Sequence, residues 1–220
     1  MKTVDVVIPT RNRRLKLMNT LSTIPLRGGI KCVIVCDDDP DTYHRIIKNP
    51  LFNITVHLTN AHCGSVHSRN MVIPDLKDGV LYATDDIEFS KGTIESAVKL
   101  FNACFPDDDG VVGIAQKQAH HPTGIALVGK KFIDRYPERL LFFPGYYHFA
   151  AQEIHWLAEK LGKFEMLVNP NGGHWIYHAH PCFYPEEMDQ THKDAREHSA
   201  IDHEFMKARQ ERGLIWGDKK

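Results

Sequence analysis

Short apolar segments alternate with amphipathic ones through the first half of the chain. Apolar runs predict strands at residues 4–8, 30–36, 53–58 and 80–83, and helical spacing predicts helices over 15–24, 65–73 and 90–105. Strands that alternate with helices of this length form βαβ units and a mostly parallel sheet. Continuous apolar strands also fit a sheet that is covered on both faces. We therefore predict a Rossmann-like α/β arrangement for residues 1–110.

The second half of the chain is less regular. Its pattern predicts strands at 111–115, 124–128 and 175–177 and a helix over 151–161. Residues 185–212 are highly charged, and a narrow apolar stripe at Ile201, Phe205 and Met206 predicts an exposed helix. The length of 220 residues fits one domain, here 1–185, followed by a charged helical extension over 186–220.

Composition excludes several classes of protein. Lys and Arg number 27 and Asp and Glu 28, so a formal net charge of −1 argues against a protein that binds bulk nucleic-acid phosphate. No apolar run reaches the length of a membrane span or of a signal-peptide core. Five cysteines without a CxxC pair predict neither a disulfide framework nor a zinc ribbon. We expect a cytoplasmic protein with reduced cysteines and no membrane span.

Polar clusters follow three of the predicted strands: PTRN at 9–12, DDD at 37–39 and TDD at 84–86. Ligands of open α/β sheets bind beyond the carboxyl ends of the strands. Carboxylates crowded there favour a hard divalent cation, Mg²⁺ or Mn²⁺, which typically bridges substrate phosphates. The alternative is that each acidic cluster is a solvated turn or a helix N-cap. The chain has no GxxxxGK[ST] and no GxGxxG motif, so the phosphates would need metal and arginine instead of a glycine-rich loop.

These segments resemble a known family. VDVVIPTRNR, CVIVCDDD, GSVHSRNMVI and GVLYATDDIEF, in this order, are similar to the nucleotide-binding half of family-2 inverting glycosyltransferases with the GT-A fold. AAQEIHWLAEKLGKF, further on, is similar to the helix that carries the family's catalytic base. The resemblance implies a nucleotide-sugar half over 1–110 and an acceptor half over 111–185. It also implies a small antiparallel element on the acceptor side of a mostly parallel sheet.

The resemblance also implies roles for individual residues. Those expected to bind the nucleotide sugar are Pro9, Thr10, Arg11, Asp38, Arg69 and Asp85. Asp86 would be a direct metal ligand, although Thr84 stands where many members have the first acid of their DxD motif. Glu153 matches the general base, with Gln152 at the position before it that is often Glu or Gly.

Histidine is abundant, with 14 copies. The resemblance implies a further metal ligand from the late segment GGHWIYHAHPC, which leaves His178 and His180 as alternatives beside Asp86. An imidazole ligand suits Mn²⁺ better than Mg²⁺. His120 and His121 either line an acceptor pocket or belong to a solvated loop. The histidines of the charged tail receive no role.

The resemblance implies transfer of a sugar from a nucleotide-diphosphate donor, with UDP-sugar expected, to an acceptor hydroxyl with inversion and with Mn²⁺ or Mg²⁺. The acceptor stays open among a glycan, a small molecule, a protein and a modified nucleic acid. A sugar-nucleotidyltransferase is one alternative, although the loop after the first strand lacks that class's glycines. A non-catalytic nucleotide-sugar-binding module is another. The tail helix would supply a lid or a homodimer contact.

Overall fold

The computed structural model describes residues 1, 3–116, 122–148, 151–169, 175–181 and 184–218. Within them lie nine strands: β1 (Val4–Thr10), β2 (Ile30–Cys36), β3 (Ile54–Leu58), β4 (Gly79–Tyr82), β5 (Ile87–Phe89), β6 (Val111–Ile114), β7 (Ala126–Val128), β8 (Phe164–Leu167) and β9 (Ile176–His178). The α-helices are α1 (Arg14–Ser22), α2 (Pro40–Lys48), α3 (Gly64–Val72), α4 (Thr93–Cys104), α5 (Lys130–Ile133), α6 (Ala151–Lys160) and α7 (Gln190–Glu211).

Seven strands form one sheet in the order β3-β2-β1-β4-β7-β6-β8. Its neighbours are parallel except at β7, which runs antiparallel to both β4 and β6. A separate antiparallel ribbon pairs β5 with β9. The predicted α/β class, with a mostly parallel sheet and a small antiparallel element, is confirmed.

The strand order changes direction at β1. The chain goes from β1 outward to β2 and β3, and then returns to place β4 on the opposite side of β1. Such a switch point leaves a crevice beyond the carboxyl ends of the two inner strands, and this is where open α/β sheets bind ligands. The polar clusters after β1, β2 and β4 all lie at this edge.

Two apolar clusters cover the two faces of the sheet because the side chains of each buried strand alternate between them. Val6 and Ile8 of β1 belong to one cluster, and Val7 belongs to the other. Met206 of α7 is buried in the second cluster, so the charged tail packs against the domain. The boundary at residue 185 stays a prediction.

Some elements were not predicted from the sequence. α2 begins with Pro40, and the side chain of Asp39 caps it by accepting a hydrogen bond from the Thr42 amide. Asp39 therefore takes the N-cap role that was the alternative for the acidic triplet. β5, α5 and β8 were also missed, and each is only three or four residues long. None of the helices in the described ranges has both the length and the apolar character needed to cross a membrane.

Candidate functional site

A cavity of about 270 Å³ opens beyond the carboxyl ends of β1, β2 and β4. The start of α6, the segment at the end of β9 and the first turns of α7 complete its wall. Eight of the residues predicted from the sequence line it: Pro9, Thr10, Arg11, Arg69, Asp85, Asp86, His178 and His180. Asp38 and Glu153 do not.

Asp85 and Asp86 lie just beyond β4, only 4% and 6% exposed. The Thr10 hydroxyl donates to Asp85 Oδ2 at 2.7 Å, and Arg13 Nη1 lies 3.1 Å from Asp85 Oδ1 and 3.4 Å from Asp86 Oδ2. Burial raises the pKa of Asp85 to about 6, against the opposing charge of Arg13. One guanidinium thus contacts both buried carboxylates.

Two imidazoles contact Asp86, one at each carboxylate oxygen. His178 Nε2 lies 3.2 Å from Asp86 Oδ1, and His192 Nε2 lies 3.2 Å from Asp86 Oδ2. The β5–β9 ribbon places the first of these, because Ile87, next to Asp86, pairs with His178 in the ribbon. Burial acts to raise the pKa of Asp86, but hydrogen bonding from these two histidines and the charge of Arg13 bring it well below its usual value.

His180 lies beside this pair. Its ring is 5.2 Å from the ring of His178 and 5.0 Å from that of His192. Burial lowers the pKa of His180 to about 4, so its imidazole is neutral at pH 7. Of the two histidines predicted as alternatives, His178 is the one placed at ion-pair distance from Asp86.

The acid that lines the cavity after β2 is Asp37, whereas Asp38, the acid predicted to bind the nucleotide sugar, does not line it. Asp37 is 4% exposed, and its carboxylate accepts from the backbone amides of Cys63 at 2.9 Å and Gly64 at 3.0 Å. Its Oδ2 also lies 2.7 Å from His62 Nδ1. Asp38 is exposed and has a left-handed backbone with φ of 53°. This turn points Asp38 away while Asp37 continues the inward alternation of the strand.

Arg69 of α3 is a buried cation on the cavity wall, 7% exposed. Its Nη2 donates to the Ala83 carbonyl at 2.8 Å, and its Nε makes no hydrogen bond. Burial lowers the pKa of Arg69 to about 10, which still leaves it charged at pH 7. Its hydrogen bonds in the described structure go to carbonyl oxygens, so its charge is not neutralised by a hydrogen-bonded carboxylate there.

Glu153, the predicted general base, does not line the cavity. Its carboxylate is 3% exposed and accepts from Arg209 Nε at 2.7 Å, Arg209 Nη2 at 3.0 Å, the Tyr146 hydroxyl and the Trp216 amide. The residue before it, Gln152, lines the cavity instead. Neighbouring helical residues point about 100° apart, and here Gln152 faces the cavity while Glu153 faces Arg209.

The first turns of α7 cover the cavity. Arg13 donates through Nε and Nη2 to both carboxylate oxygens of Asp189, at 2.9 and 2.8 Å. Arg11 Nη1 donates to Asp194 at 2.8 Å, and the Thr191 hydroxyl donates to the Arg11 carbonyl at 2.9 Å. The loop after β1 is therefore tied to the charged tail at several points.

Several lining residues were not assigned a role from the sequence, among them Arg13, Asp37, His62 and His192. Asp37 could have been identified from the sequence, because it is the first acid of the triplet at 37–39. Arg13 stands in a run of basic residues with nothing to single it out, and His192 lies in the charged tail at no diagnostic spacing. The predicted acceptor-side residues His120 and His121 lie outside the described residues.

The donor set around Asp86 fits a divalent cation. Asp86 Oδ1 is buried, and His178 Nε2 lies at ion-pair distance from it. Ligands at right angles on an ion at about 2.1 Å are themselves about 3 Å apart, which is close to the two contacts of 3.2 Å. No three His, Cys, Asp or Glu side chains in the described ranges already form a metal cage. A carboxylate and neutral imidazoles are suitable ligands, so Asp86 and its neighbouring histidines could hold such a cation.

Comparison with solved structures identifies proteins of similar fold. The structure of S. aureus TarS 1–349 in complex with UDP superposes with a TM-score of 0.60 at 16% identity, covering 87% of this chain and 68% of that one. A second structure of S. aureus TarS 1–349 superposes with a TM-score of 0.57 at 15% identity, again covering 87% of this chain and 68% of that one. A longer S. aureus TarS structure superposes with a TM-score of 0.58 at 16% identity, covering 87% of this chain and 41% of that one. No family model and no curated protein matches the sequence.

The chain has a GT-A-like fold. TarS is a GT-A-like family-2 glycosyltransferase, so the resemblance predicted from the sequence is confirmed at the level of structure. At this identity the likeness establishes the fold alone, and the chemistry has to be argued from the site.

Proposed function

We propose that this protein transfers a sugar from a nucleotide-diphosphate sugar to an acceptor hydroxyl. The observation that carries the proposal is the buried pair Asp85 and Asp86, located at the switch point of a GT-A-like sheet and served by a single guanidinium. A diphosphate with a divalent cation is a ligand class that balances such a site. The UDP bound to a protein of the same fold supports the choice of a nucleotide donor.

The surrounding residues divide the donor between them. Arg69 supplies a buried positive charge for the phosphates. Asp37, with His62 beside it, offers a polar recess for the nucleobase at the end of β2. Thr10 holds Asp85 in place at the end of β1, where the ribose would lie between base and phosphates. UDP-sugar is the donor that this arrangement and the comparison favour.

Asp86 with His178 would hold Mn²⁺ or Mg²⁺. Charge neutralisation of the departing diphosphate is the chemistry that such an ion supplies. Arg13 and Arg69 add fixed positive charge at the same place. The proposed reaction is a single displacement with inversion, in which the acceptor hydroxyl enters on the face of the sugar opposite the diphosphate.

A second candidate is a nucleotide-sugar-binding module that does not catalyse transfer. The position of Glu153 favours it, because the carboxylate that the family resemblance names as general base is engaged by Arg209, away from the cavity. Binding would then occur without turnover. The sugar-nucleotidyltransferase alternative has no such observation in its favour.

Calorimetry with a panel of nucleotide sugars, in the presence of Mn²⁺ and of EDTA, tests donor binding. Mass spectrometry of reactions with candidate acceptors then separates the two functions. Tight binding of one nucleotide sugar with release of the nucleoside diphosphate supports the transferase. Tight binding with no product and no hydrolysis supports the module, and no binding of any nucleotide sugar contradicts both.

We also propose a cytoplasmic setting. The described cysteines Cys32, Cys36, Cys63 and Cys104 are all free, which fits a reducing compartment. Burial raises the pKa of the Cys36 thiol to about 12, so that thiol stays protonated in the core. Fractionation of growing cells, followed by immunoblotting with an antibody to this protein, tests the location.

A further inference from the structure

His192 reaches the donor site from a part of the chain outside the sheet and its crossover helices. It lies in the first turn of α7, and its side chain is 8% exposed. Its Nε2 is 3.2 Å from Asp86 Oδ2, the same distance as the His178 contact on the other oxygen. The two imidazoles thus have equivalent positions on one carboxylate, although only His178 lies within the segments that resemble the family.

The backbone and the neighbouring acid hold His192 in this position. Asp189 caps α7 by accepting a hydrogen bond from the His192 amide at 3.0 Å. Asp189 Oδ1 also lies 3.0 Å from His192 Nδ1, at an angle that does not make a hydrogen bond. The second ring nitrogen of a metal-binding histidine usually donates to a carboxylate, and Asp189 is a carboxylate close enough to His192 Nδ1 to take that role after a small change of angle. Arg13 fixes that carboxylate with two hydrogen bonds.

A purely structural contact would not need this arrangement. An imidazole that only anchored the helix could donate to any oxygen on the cavity wall. His192 Nε2 instead contacts the carboxylate of Asp86, which His178 also contacts. The set of one carboxylate and two imidazoles suits a borderline divalent ion such as Mn²⁺.

We infer that His192 is a ligand of the divalent cation at Asp86, so that cation binding and docking of α7 over the donor site are coupled. The inference rests on the metal site of the proposed function. Because binding energy at a ligand adds to the stability of the state that presents it, a bound cation would hold the first turn of α7 in place. The tail would thereby act as part of the donor site.

Ligation by His192 is tested by calorimetry of Mn²⁺ binding to the full chain in the absence of nucleotide. We expect His192→Asn to weaken Mn²⁺ binding about tenfold or more, as loss of metal-site residues does. The matched control is His203→Asn, an exposed histidine on the same helix, which should bind Mn²⁺ like the wild type. Equal affinity in His192→Asn and wild type would overturn the inference, as would the absence of Mn²⁺ binding to the wild type.

A second pair of variants separates ligation from folding effects. A thiolate prefers soft ions, so His192→Cys should bind Cd²⁺ and show a thiolate-to-cadmium ultraviolet band that EDTA removes. His203→Cys places a thiol on the exposed face of the same helix and should lack that band. Equal bands in the two variants would contradict ligation at position 192.

Hydrogen exchange measures the coupling itself. Mn²⁺ should slow exchange in the first turns of α7 in the wild type and leave His192→Asn unchanged. Slowing of equal size in both proteins would show that α7 docks without His192. Donor binding measured in EDTA is independent of all these readouts, so failure of the metal inference and failure of the proposed function can be told apart.

Discussion

The guanidinium of Arg209 lies against the carboxylate of Glu153, with Nε 2.7 Å from Oε1 and Nη2 3.0 Å from Oε2. Arg209 also packs over the ring of Phe143, 3.7 Å from its centroid. This pair joins the last turns of α7 to the start of α6. The glutamate that the sequence places at a catalytic position therefore contributes to the docking of the tail.

Replacement of Glu153 should affect stability more than chemistry. Glu153→Gln removes the charge opposite a guanidinium whose side chain is only 12% exposed. Hydrogen bonds to charged groups contribute about 2 kcal/mol, and we expect a loss of that size in the free energy of unfolding from urea titration. Activity per folded molecule should persist.

The control for this variant is Glu159→Gln, an exposed glutamate of the same helix, which should stay within about 0.5 kcal/mol of the wild type. Wild-type stability of Glu153→Gln together with loss of transfer would restore Glu153 as the general base.

Substitution of Asp37 and substitution of its neighbour Asp38 should have different effects on stability and on UDP binding. In Asp37→Asn an NH2 group replaces one of the two oxygens, so it would face the backbone amide of either Cys63 or Gly64, donor against donor. We expect a loss of about 1–3 kcal/mol in stability and weaker binding of UDP by calorimetry. Asp38→Asn changes an exposed residue and should leave both unchanged. Weaker nucleotide binding in Asp38→Asn alone would return the base-binding role to the acid named from the sequence.

Removal of the metal should affect donor binding through Asp86. In the wild type, EDTA should weaken UDP-sugar binding about tenfold or more, since loss of a cation removes several kcal/mol of charge stabilisation. Asp86→Asn should show the weak affinity with and without Mn²⁺, while the exposed Asp41→Asn should behave like the wild type. Equal affinity of the wild type in Mn²⁺ and EDTA would contradict the metal site.

Acid should release the start of α7. Partial burial acts to raise the pKa of Asp189, but the hydrogen bonds from Arg13 and from the His192 amide lower it to about 2. A lowered folded-state pKa stabilises the protein above the unfolded value near 3.8, and this stabilisation disappears as the pH falls toward 2. Allowing for solvent screening, the charge of Asp189 contributes about 1 kcal/mol to the free energy of unfolding.

Urea unfolding of the wild type and Asp189→Asn between pH 6 and pH 2.5 measures that effect. Asparagine also caps helices well, so the variant keeps the cap and loses the charge. The difference in unfolding free energy should be constant near pH 6 and shrink as the pH falls below about 4. A difference independent of pH would mean that the Arg13 pair contributes nothing through charge.

The sequence predicted the central sheet well because its signals are local. The continuous apolar run of β2 and the amphipathic spacing of α4 each lie within one element, and both elements form where the pattern indicates. Short elements such as β5 carry too few residues for a periodic signal. α2 was missed although its Asp39 cap and Pro40 start are visible in the sequence.

The sequence by itself determined the fold class, the edge of the sheet where the polar clusters lie, and the presence of Asp85 and Asp86 there, because these follow from the apolar period and from residues next to strand ends. Only the tertiary structure decided that Asp37 faces the cavity instead of Asp38, that Glu153 faces Arg209, and that His192 meets Asp86 across 106 positions of the chain. The direction of a side chain at a turn, and contact between distant segments, depend on packing that no local pattern encodes.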